Sequence, residues 1–303
     1  MVGMKSVGFW EAQRFLCMVK YIAVIFAVLV AIGISKPADA QHYAANVLYS
    51  DRPLPIFIGV DVGAGYTMWQ HGTPTYFATN YPYSSVPDTI HVGFPDGATP
   101  LFGFFVGLSA DFWLNNNWGI IAKLNYNERR GNWNATTNTQ GDANGVLTDI
   151  PVTSDFTWML RCASIEGYAR YKFTNLSDFY VGAGLAVTAI LSDHYDLTQT
   201  ISGPAGYSFI QLGTGNGTGI QSYNIGGSLS SELVTMFAEF KLLAGFPFSI
   251  GTRWVLAPEV TLGLPLTSIW RPSAKADYQA NGIASPPSPV TITGLLTLRY
   301  QIQ

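Results

Sequence analysis

The sequence predicts an all-β fold: an eight-stranded antiparallel up-and-down transmembrane β-barrel with four long loops at one end. Three observations predict it. Beyond residue 50, eight runs of about 9 to 16 residues alternate apolar with polar or small side chains at a period of two. The connections between these runs alternate long and short. Charged residues make up only 12% of the 303 positions, against about 25% in an ordinary soluble domain, too few to dress a water-facing surface.

Residues 1–40 read as a separate targeting segment. Lys20 precedes an uncharged apolar run over residues 21–34, followed by Lys36-Pro37-Ala38-Asp39-Ala40. Ala38-x-Ala40 is the small-residue pattern of a cleavage site, so a signal peptide cut after Ala40 is expected. A run of about 14 residues is short for a helix crossing about 30 Å of hydrocarbon. Met18 offers a sufficient start, which makes residues 1–17 an upstream extension. Cleavage would leave 12 basic and 17 acidic groups and one cysteine, Cys162. The two cysteines of the whole chain, Cys17 and Cys162, form neither a disulfide framework nor a closed zinc site. The lack of any Lys/Arg excess argues against a nucleic-acid partner. The high aromatic content argues against disorder.

The first run, residues 56–68, sets Ile56, Ile58, Val60, Val62, Ala64, Tyr66 and Met68 against Gly59, Asp61, Gly63 and Gly65. The second, 102–112, sets Phe102, Phe104, Leu108 and Phe112 against Gly103, Gly107, Ser109 and Asp111. The third, 118–126, sets Trp118, Ile120, Leu124 and Tyr126 against Gly119, Lys123 and Asn125. The fourth, 156–171, begins with Phe156, Trp158 and Leu160 on its apolar face and ends with Ala163, Ile165 and Tyr171 there, opposite Glu166, Tyr168 and Arg170. This change of parity at Arg161-Cys162 predicts a β-bulge.

The fifth run, 179–191, sets Phe179, Val181, Leu185, Val187 and Leu191 against Gly182, Gly184 and Thr188. The sixth, 234–246, sets Val234, Met236, Phe240, Leu242 and Phe246 against Glu239 and Lys241. The seventh, 254–264, sets Trp254, Leu256, Val260 and Leu264 against Arg253, Glu259 and Thr261. Its Pro258 lacks a ladder donor, and a local bulge is expected to absorb it. The eighth, 290–300, sets Val290, Ile292, Leu296, Leu298 and Tyr300 against Thr291, Thr293, Thr297 and Arg299. Soluble strands average about five or six residues, whereas a tilted membrane crossing needs about 9 to 11.

Long connections at residues 70–100, 128–155, 192–231 and 267–289 follow odd-numbered runs, and short turns at 115–117, 173–178 and 247–252 follow even-numbered ones. The long loops therefore share one end, and both ends of the barrel domain lie at the other.

Ten charges lie opposite the apolar faces: Asp61, Asp111, Lys123, Glu166, Arg170, Glu239, Lys241, Arg253, Glu259 and Arg299. A Lys or Arg facing the mid-bilayer costs about 2–4 kcal/mol, so this face is expected to line the bore and the apolar face to meet lipid. Eight strands enclose a bore just wide enough for side chains, and five acids against five bases should pair there. A lumen plugged by charged pairs is expected; a proton or ion path along the same groups is the alternative. The outward aromatics fall at two levels. Phe112, Trp118, Tyr171, Phe179, Phe246, Trp254 and Tyr300 lie near the short turns, and Tyr66, Phe102, Tyr126, Phe156 and Trp158 near the long loops. Two interfacial girdles are the expected reading. A soluble sandwich or lipocalin-like barrel would need a charged exterior.

Phe57-x-Gly59-x-x-x-Gly63-x-Gly65-Tyr66, Phe179-Tyr-Val-Gly-Ala-Gly-Leu185 and Leu256-Ala-Pro-Glu-Val-Thr-Leu-Gly263 carry a resemblance. On these residues the chain from about residue 50 to 303 resembles the small outer-membrane β-barrel proteins, the group of the OmpA transmembrane domain, OmpX and the outer membrane protein beta-barrel domain. The resemblance implies a bacterial outer-membrane location, contact with outer-membrane lipid, insertion by the barrel-assembly machinery and exposed variable loops. Chains of this group usually end on an aromatic residue; here the last residues are Arg299-Tyr300-Gln301-Ile302-Gln303, and Tyr300 stands in its place.

Ser192-Asp193-His194-Tyr195-Asp196 collects the side-chain types of an activated nucleophile. Neighbours on a strand point to opposite faces, however, so no catalytic residue is assigned. His42, His71 and His91 stand alone, no HExxH motif occurs, and neither a cofactor nor a metal is expected. The glycine-rich stretch 213–219 reads as loop rather than phosphate cradle, and Asn134, Asn175 and Asn216 begin glycan-acceptor patterns taken as chance. The expected role is a non-enzymatic structural or surface-interaction barrel whose loops contact a surface ligand. A small channel and a membrane-embedded lipid-modifying enzyme are the alternatives.

Overall fold

The computed structural model describes residues 55–70, 99–143, 146–173, 179–201, 222–280 and 287–302. The expected signal peptide, His42, His71, His91, Asn175, Asn216 and the stretch 213–219 lie outside the described residues. Among the described residues the chain forms ten strands and one helix. The strands are β1 (Ile56–Gln70), β2 (Thr99–Trp113), β3 (Trp118–Ala143), β4 (Val146–Lys172), β5 (Tyr180–Ile201), β6 (Ser222–Gly227), β7 (Met236–Gly245), β8 (Phe248–Ile250), β9 (Trp254–Pro265) and β10 (Ser288–Gln301). The helix is α1 (Pro272–Ala280).

Eight of these strands form a ring in the order β10-β1-β2-β3-β4-β5-β7-β9, closed by the pairing of β9 with β10. All pairings are antiparallel. Closure matters because lipid offers no hydrogen bonds, and each unsatisfied backbone group there costs several kcal/mol. The β1–β10 seam runs without a break from Phe57↔Gln301 to Gln70↔Ser288, so no sheet edge is left where the first and last strands of the ring meet.

Alternation sorts the side chains. Ile58, Val60 and Val62 on β1, Leu108 on β2, Leu124 on β3, Ile165 on β4, Leu185 on β5 and Leu296 on β10 face outward and are exposed. Asp61, Asp111, Lys123, Glu166, Glu239, Glu259 and Arg299 on the opposite parity are buried. An exposed apolar belt of this extent fits a protein solvated by acyl chains. At the short-turn end Asn115 Oδ1 accepts the N–H groups of Asn117 (2.9 Å) and Trp118 (2.8 Å), which closes the β2–β3 turn as an Asx motif.

Two register shifts reshape the wall. Between Leu101 and Phe105, β2 carries one residue more than β3, and Gly103 sits in that bulge. A Cβ there would collide with the Glu128 carbonyl, so only glycine lets the strands approach. The second shift lies at Arg161/Cys162 in the β4–β5 pairing, but the extra residue belongs to β5. Arg161 pairs with Ser192 and Cys162 with Ile190, which leaves Leu191 over. The parity of β4 therefore never changes, and Phe156, Trp158 and Leu160 face inward with Glu166, a correction to the expected lipid-facing placement. It is β5 that changes faces, with Ser192, His194 and Asp196 outward beyond the bulge.

Two further expectations are corrected. Pro258 sits in a regular register with Leu296, without a bulge. Its carbonyl accepts from Phe246 just past the end of β7, so its missing N–H points where that ladder has already stopped. Within the stretch 128–155, expected as a loop, residues 128–143 belong to β3 and 146–155 to β4, which pair as far as Ala143↔Val146. The Asn- and Thr-rich composition suggested a loop because only one face is polar. Arg130, Asn132, Asn134 and Thr136 look outward, while Arg129, Trp133 and Ala135 are buried.

The upper parts of β3, β4 and β5, joined by β6 on β5, stand beyond the ring as a four-stranded ribbon. Its outer face carries a row Thr136↔Thr153↔Thr200↔Ser222. Thr136 and Thr153 hydroxyls lie 3.2 Å apart, as do those of Thr200 and Ser222.

Candidate functional site

The bore holds two chains of alternating charge. Toward the short turns, Asp61 pairs with Lys123 (3.1 Å), Lys123 with Glu259 (2.5 Å), Glu259 with Arg299, Arg299 with Asp111 (3.0 Å) and Asp111 with Arg170 (3.1 Å). Each of the six members comes from a different strand, so the chain of ion pairs ties β1, β2, β3, β4, β9 and β10 together across the bore. Tyr180 donates to Glu259 and accepts from Arg299 (3.2 Å).

Toward the long-loop end, Arg129 grips Glu239 in a bidentate pair at 3.0 and 2.8 Å. Lys241 lies 3.4 Å from Glu239 and 3.8 Å from Glu166. Thr188 donates to Glu239 (2.6 Å), and Ser164 (2.9 Å) and Tyr168 both donate to Glu166. Buried pairs of this kind contribute little net stability, but removing one partner costs about 3–5 kcal/mol.

Above the second chain lies an apolar cluster. Trp158 stacks on Trp69 with ring centres 4.8 Å apart and touches Trp270 at 5.5 Å; Trp133 approaches Trp69 at 5.7 Å. Phe156, Leu160, Leu197 and Phe237 fill between them. Leu229 and Leu233 from the segment before β7, and Ala274 from α1, complete the cluster. Trp270 donates its indole N–H to the Pro287 carbonyl (2.6 Å).

Two charged positions differ from the sequence reading. Arg253 is not in the bore: it precedes β9 in the β8–β9 hairpin, is exposed, and donates to the Tyr300 hydroxyl at 3.0 Å. Arg129 occupies the bore instead and was missed because its segment read as loop; the alternation Arg129, Gly131, Trp133, Ala135 was the available signal. Lys172 is also buried near the short-turn end.

Among the aromatics, Tyr66, Phe112, Trp118 and Trp254 are exposed on the outer surface. Tyr126, Tyr171 and Tyr300 share that surface half-buried, and the pairs Trp118–Tyr171 (5.1 Å) and Trp254–Tyr300 (4.9 Å) stand at the short-turn end. Trp158, Phe179 and Phe246 are buried, a correction to their expected interfacial placement. Trp158 follows the unbroken parity of β4. Phe179 and Phe246 each sit one residue outside a strand, against Phe173 (6.0 Å) and Phe248 (4.9 Å), where strand alternation no longer sets their direction.

The Ser192–Asp196 segment is strand, not loop. Asp193 accepts from Ser228 (2.7 Å) and from the Leu229 N–H (2.5 Å), holding the turn that leads to β7. His194 and Asp196 lie 3.4 Å apart on the exposed outer face. Tyr195 faces the other way onto Phe156 (5.7 Å); burial, with the Glu232 and Asp193 carboxylates nearby, pushes its phenol above the ordinary value. No group of three or more His, Cys, Asp or Glu side chains among the described residues could hold a metal ion.

Residues 51–264 match the family model described as "Outer membrane protein beta-barrel domain". The chain belongs to this outer-membrane β-barrel family. No curated protein matches this outer-membrane barrel. Among solved structures it is similar to the attachment invasion locus protein Ail of Yersinia pestis, at 10% identity over 83% of this chain and 100% of that one, with a TM-score of 0.28. It is also similar to Neisserial surface protein A, at 11% identity over 82% of this chain and 97% of that one, with a TM-score of 0.33. A third is the outer membrane protein OprG of Pseudomonas aeruginosa, at 9% identity over 83% of this chain and 98% of that one, with a TM-score of 0.30. Family membership places this outer-membrane barrel in the bacterial outer membrane.

Proposed function

We propose that this outer-membrane barrel is a non-conducting, non-enzymatic surface protein that uses its wall as a mount for the ribbon of β3–β6 and the long connections. The supporting observation is the filling of the bore: two chains of alternating ion pairs, covered at the long-loop end by the Trp69–Trp133–Trp158–Trp270 cluster. A conducting path would have to part both. Reconstitution into planar lipid bilayers tests this reading: the expected trace is flat, and discrete current steps from the folded protein would overturn it.

The exported chain starts at Gln41 after removal of the signal peptide, is inserted by the barrel-assembly machinery, and is held by outer-membrane lipid along its apolar belt. A surface ligand is met by the ribbon, whose outer face is rich in Thr, Asn and Ser. Cells displaying the intact chain and a variant lacking residues 133–156 should differ in attachment to protein-coated surfaces; equal attachment counts against the ribbon.

A further inference from the structure

On the outward face of β3 and β4 the apolar belt ends in a short charged step. Tyr126 stands at the top of the belt on β3, in one band with Tyr66, Phe102 and Phe104. The next outward row sets Glu128 beside Arg161 and Arg161 beside Ser192; the row after it sets Arg130 beside Met159 and Met159 beside His194. At about 3.4 Å per residue and a tilt of about 35–45°, the first of these rows lies about 5 Å above Tyr126 along the membrane normal. That is the depth of the headgroup layer, about 5–7 Å thick on each side of the hydrocarbon.

Among the described residues, Arg130 and Arg161 are the cations of the ring strands that face outward; Lys123, Arg129, Arg170, Lys172, Lys241 and Arg299 are buried. Glu128 serves both arginines unequally. Arg130 donates to it at 2.6 Å, whereas Arg161 Nε stands 3.7 Å away, too far for a hydrogen bond. Two guanidinium groups thus share one carboxylate, which leaves one positive charge over. Arg161, with half its side chain exposed, donates no hydrogen bond among the described residues. The next outward carboxylates, Asp196 and Asp155, lie two and three rows beyond Arg161, beside His194 (3.4 Å) and Asn132 (2.5 Å) respectively. Met159 and the exposed Leu191 of the β5 bulge give the step apolar flanks.

We propose that Arg161, with Arg130 and Glu128 beside it, holds the headgroup phosphate of an anionic lipid in the leaflet on the long-loop side. The planar guanidinium fork matches phosphate oxygens and forms stronger bonds with them than with neutral acceptors. The lipid's acyl chains then run down over Tyr126, Leu124 and Ile165, which continue the same outward face below the step. The single uncompensated charge favours a lipid of net negative charge over a zwitterionic one. The site lies at the root of the ribbon, at membrane level, and does not depend on what the ribbon meets above it.

The test uses the full-length folded barrel in neutral detergent, titrated with phosphatidylglycerol or phosphatidylcholine and read by native mass spectrometry, which counts lipids bound per barrel. Heat-dependent gel mobility checks that each variant is folded. The first phosphatidylglycerol should bind at least about fivefold more tightly than phosphatidylcholine, as one charge near a headgroup implies. Arg161→Gln should remove most of that preference, and Glu128→Gln should increase it, because it adds a net charge to the same step. Arg253→Gln, an exposed cation at the short-turn end, should leave it unchanged. Equal affinity for the two lipids, or a preference unaltered by Arg161→Gln, would overturn the site. A preference lowered equally by Arg253→Gln would mean that overall charge, and not this step, selects the lipid. Displacement of phosphatidylglycerol by about 10 mM inorganic phosphate would overturn the lipid and leave a site for the free anion.

Discussion

Arg129 on β3 and Glu239 on β7 meet across the bore in a two-point grip, both fully buried, although 110 residues separate them in sequence. β4 and β5 stand between them in the ring, so the pair braces two strands that share no ladder. Glu239→Gln leaves Arg129 and Lys241 facing a neutral amide and should cost about 3–5 kcal/mol in urea unfolding from detergent micelles. The double variant Arg129→Met/Glu239→Leu should recover most of that loss, because it removes the uncompensated charge as well. A double variant no more stable than the single one would contradict the pairing.

The two tryptophans Trp158 and Trp118 make an internal comparison. Trp158 is 1% exposed within the bore cluster and Trp118 is 49% exposed on the outer surface. Trp158→Ala should cost about 3–5 kcal/mol through the cavity it leaves. Trp118→Ala should cost about 1 kcal/mol, mainly its contact with Tyr171. The same unfolding titration ranks them, and the reverse order would refute the inward parity of upper β4.

The outer belt can be tested with one charge. Leu185 faces outward from β5 and is exposed. Leu185→Arg should destabilise the barrel in lipid vesicles by about 2–4 kcal/mol if that face meets hydrocarbon. An unchanged midpoint would mean that water reaches Leu185.

Glycine spacing yields a paired prediction. A Cβ at Gly103 collides with the Glu128 carbonyl, whereas at Gly167 nothing lies within 4 Å. Gly103→Ala should cost about 1–3 kcal/mol or block folding. Gly167→Ala should be neutral or slightly stabilising, since it restricts the unfolded chain. Fractions of folded protein after refolding into micelles report both.

Cys162 is completely buried, facing the apolar cluster. A maleimide probe should leave it unmodified in the folded barrel and label it fully in urea. Labelling at equal rates in both states would show that the upper bore is open to solvent.

Much of this architecture is legible in the alternation alone. Ile58, Val60 and Val62 against Asp61 already fix which side of β1 looks outward, because a period of two leaves one choice once lipid excludes charge. Two kinds of place escape that logic. Where a bulge adds a residue, sequence shows that parity changes but not which partner strand carries the extra residue: Arg161-Cys162 drew attention to β4, while Leu191 of β5 is the residue left over. Where a strand leaves the membrane, its outer face turns polar, so residues 128–155 read as loop and hid both Arg129 and Trp133. Arg253 was misplaced for the opposite reason: it follows the alternation of β9 by count but lies in the hairpin before it.

The described strands do not rise evenly around the ring: β3 and β4 continue far past the level at which β7 and β9 end. A molecule built this way has a heading. Spinning it about the membrane normal changes what its neighbours in the leaflet encounter: a tall polar vane on the flank of β3 and β4, and strands that stop lower, among the described residues, on the flank of β7 and β9. Lateral encounters between such barrels are therefore directional, and their crowding in a bilayer need not be isotropic.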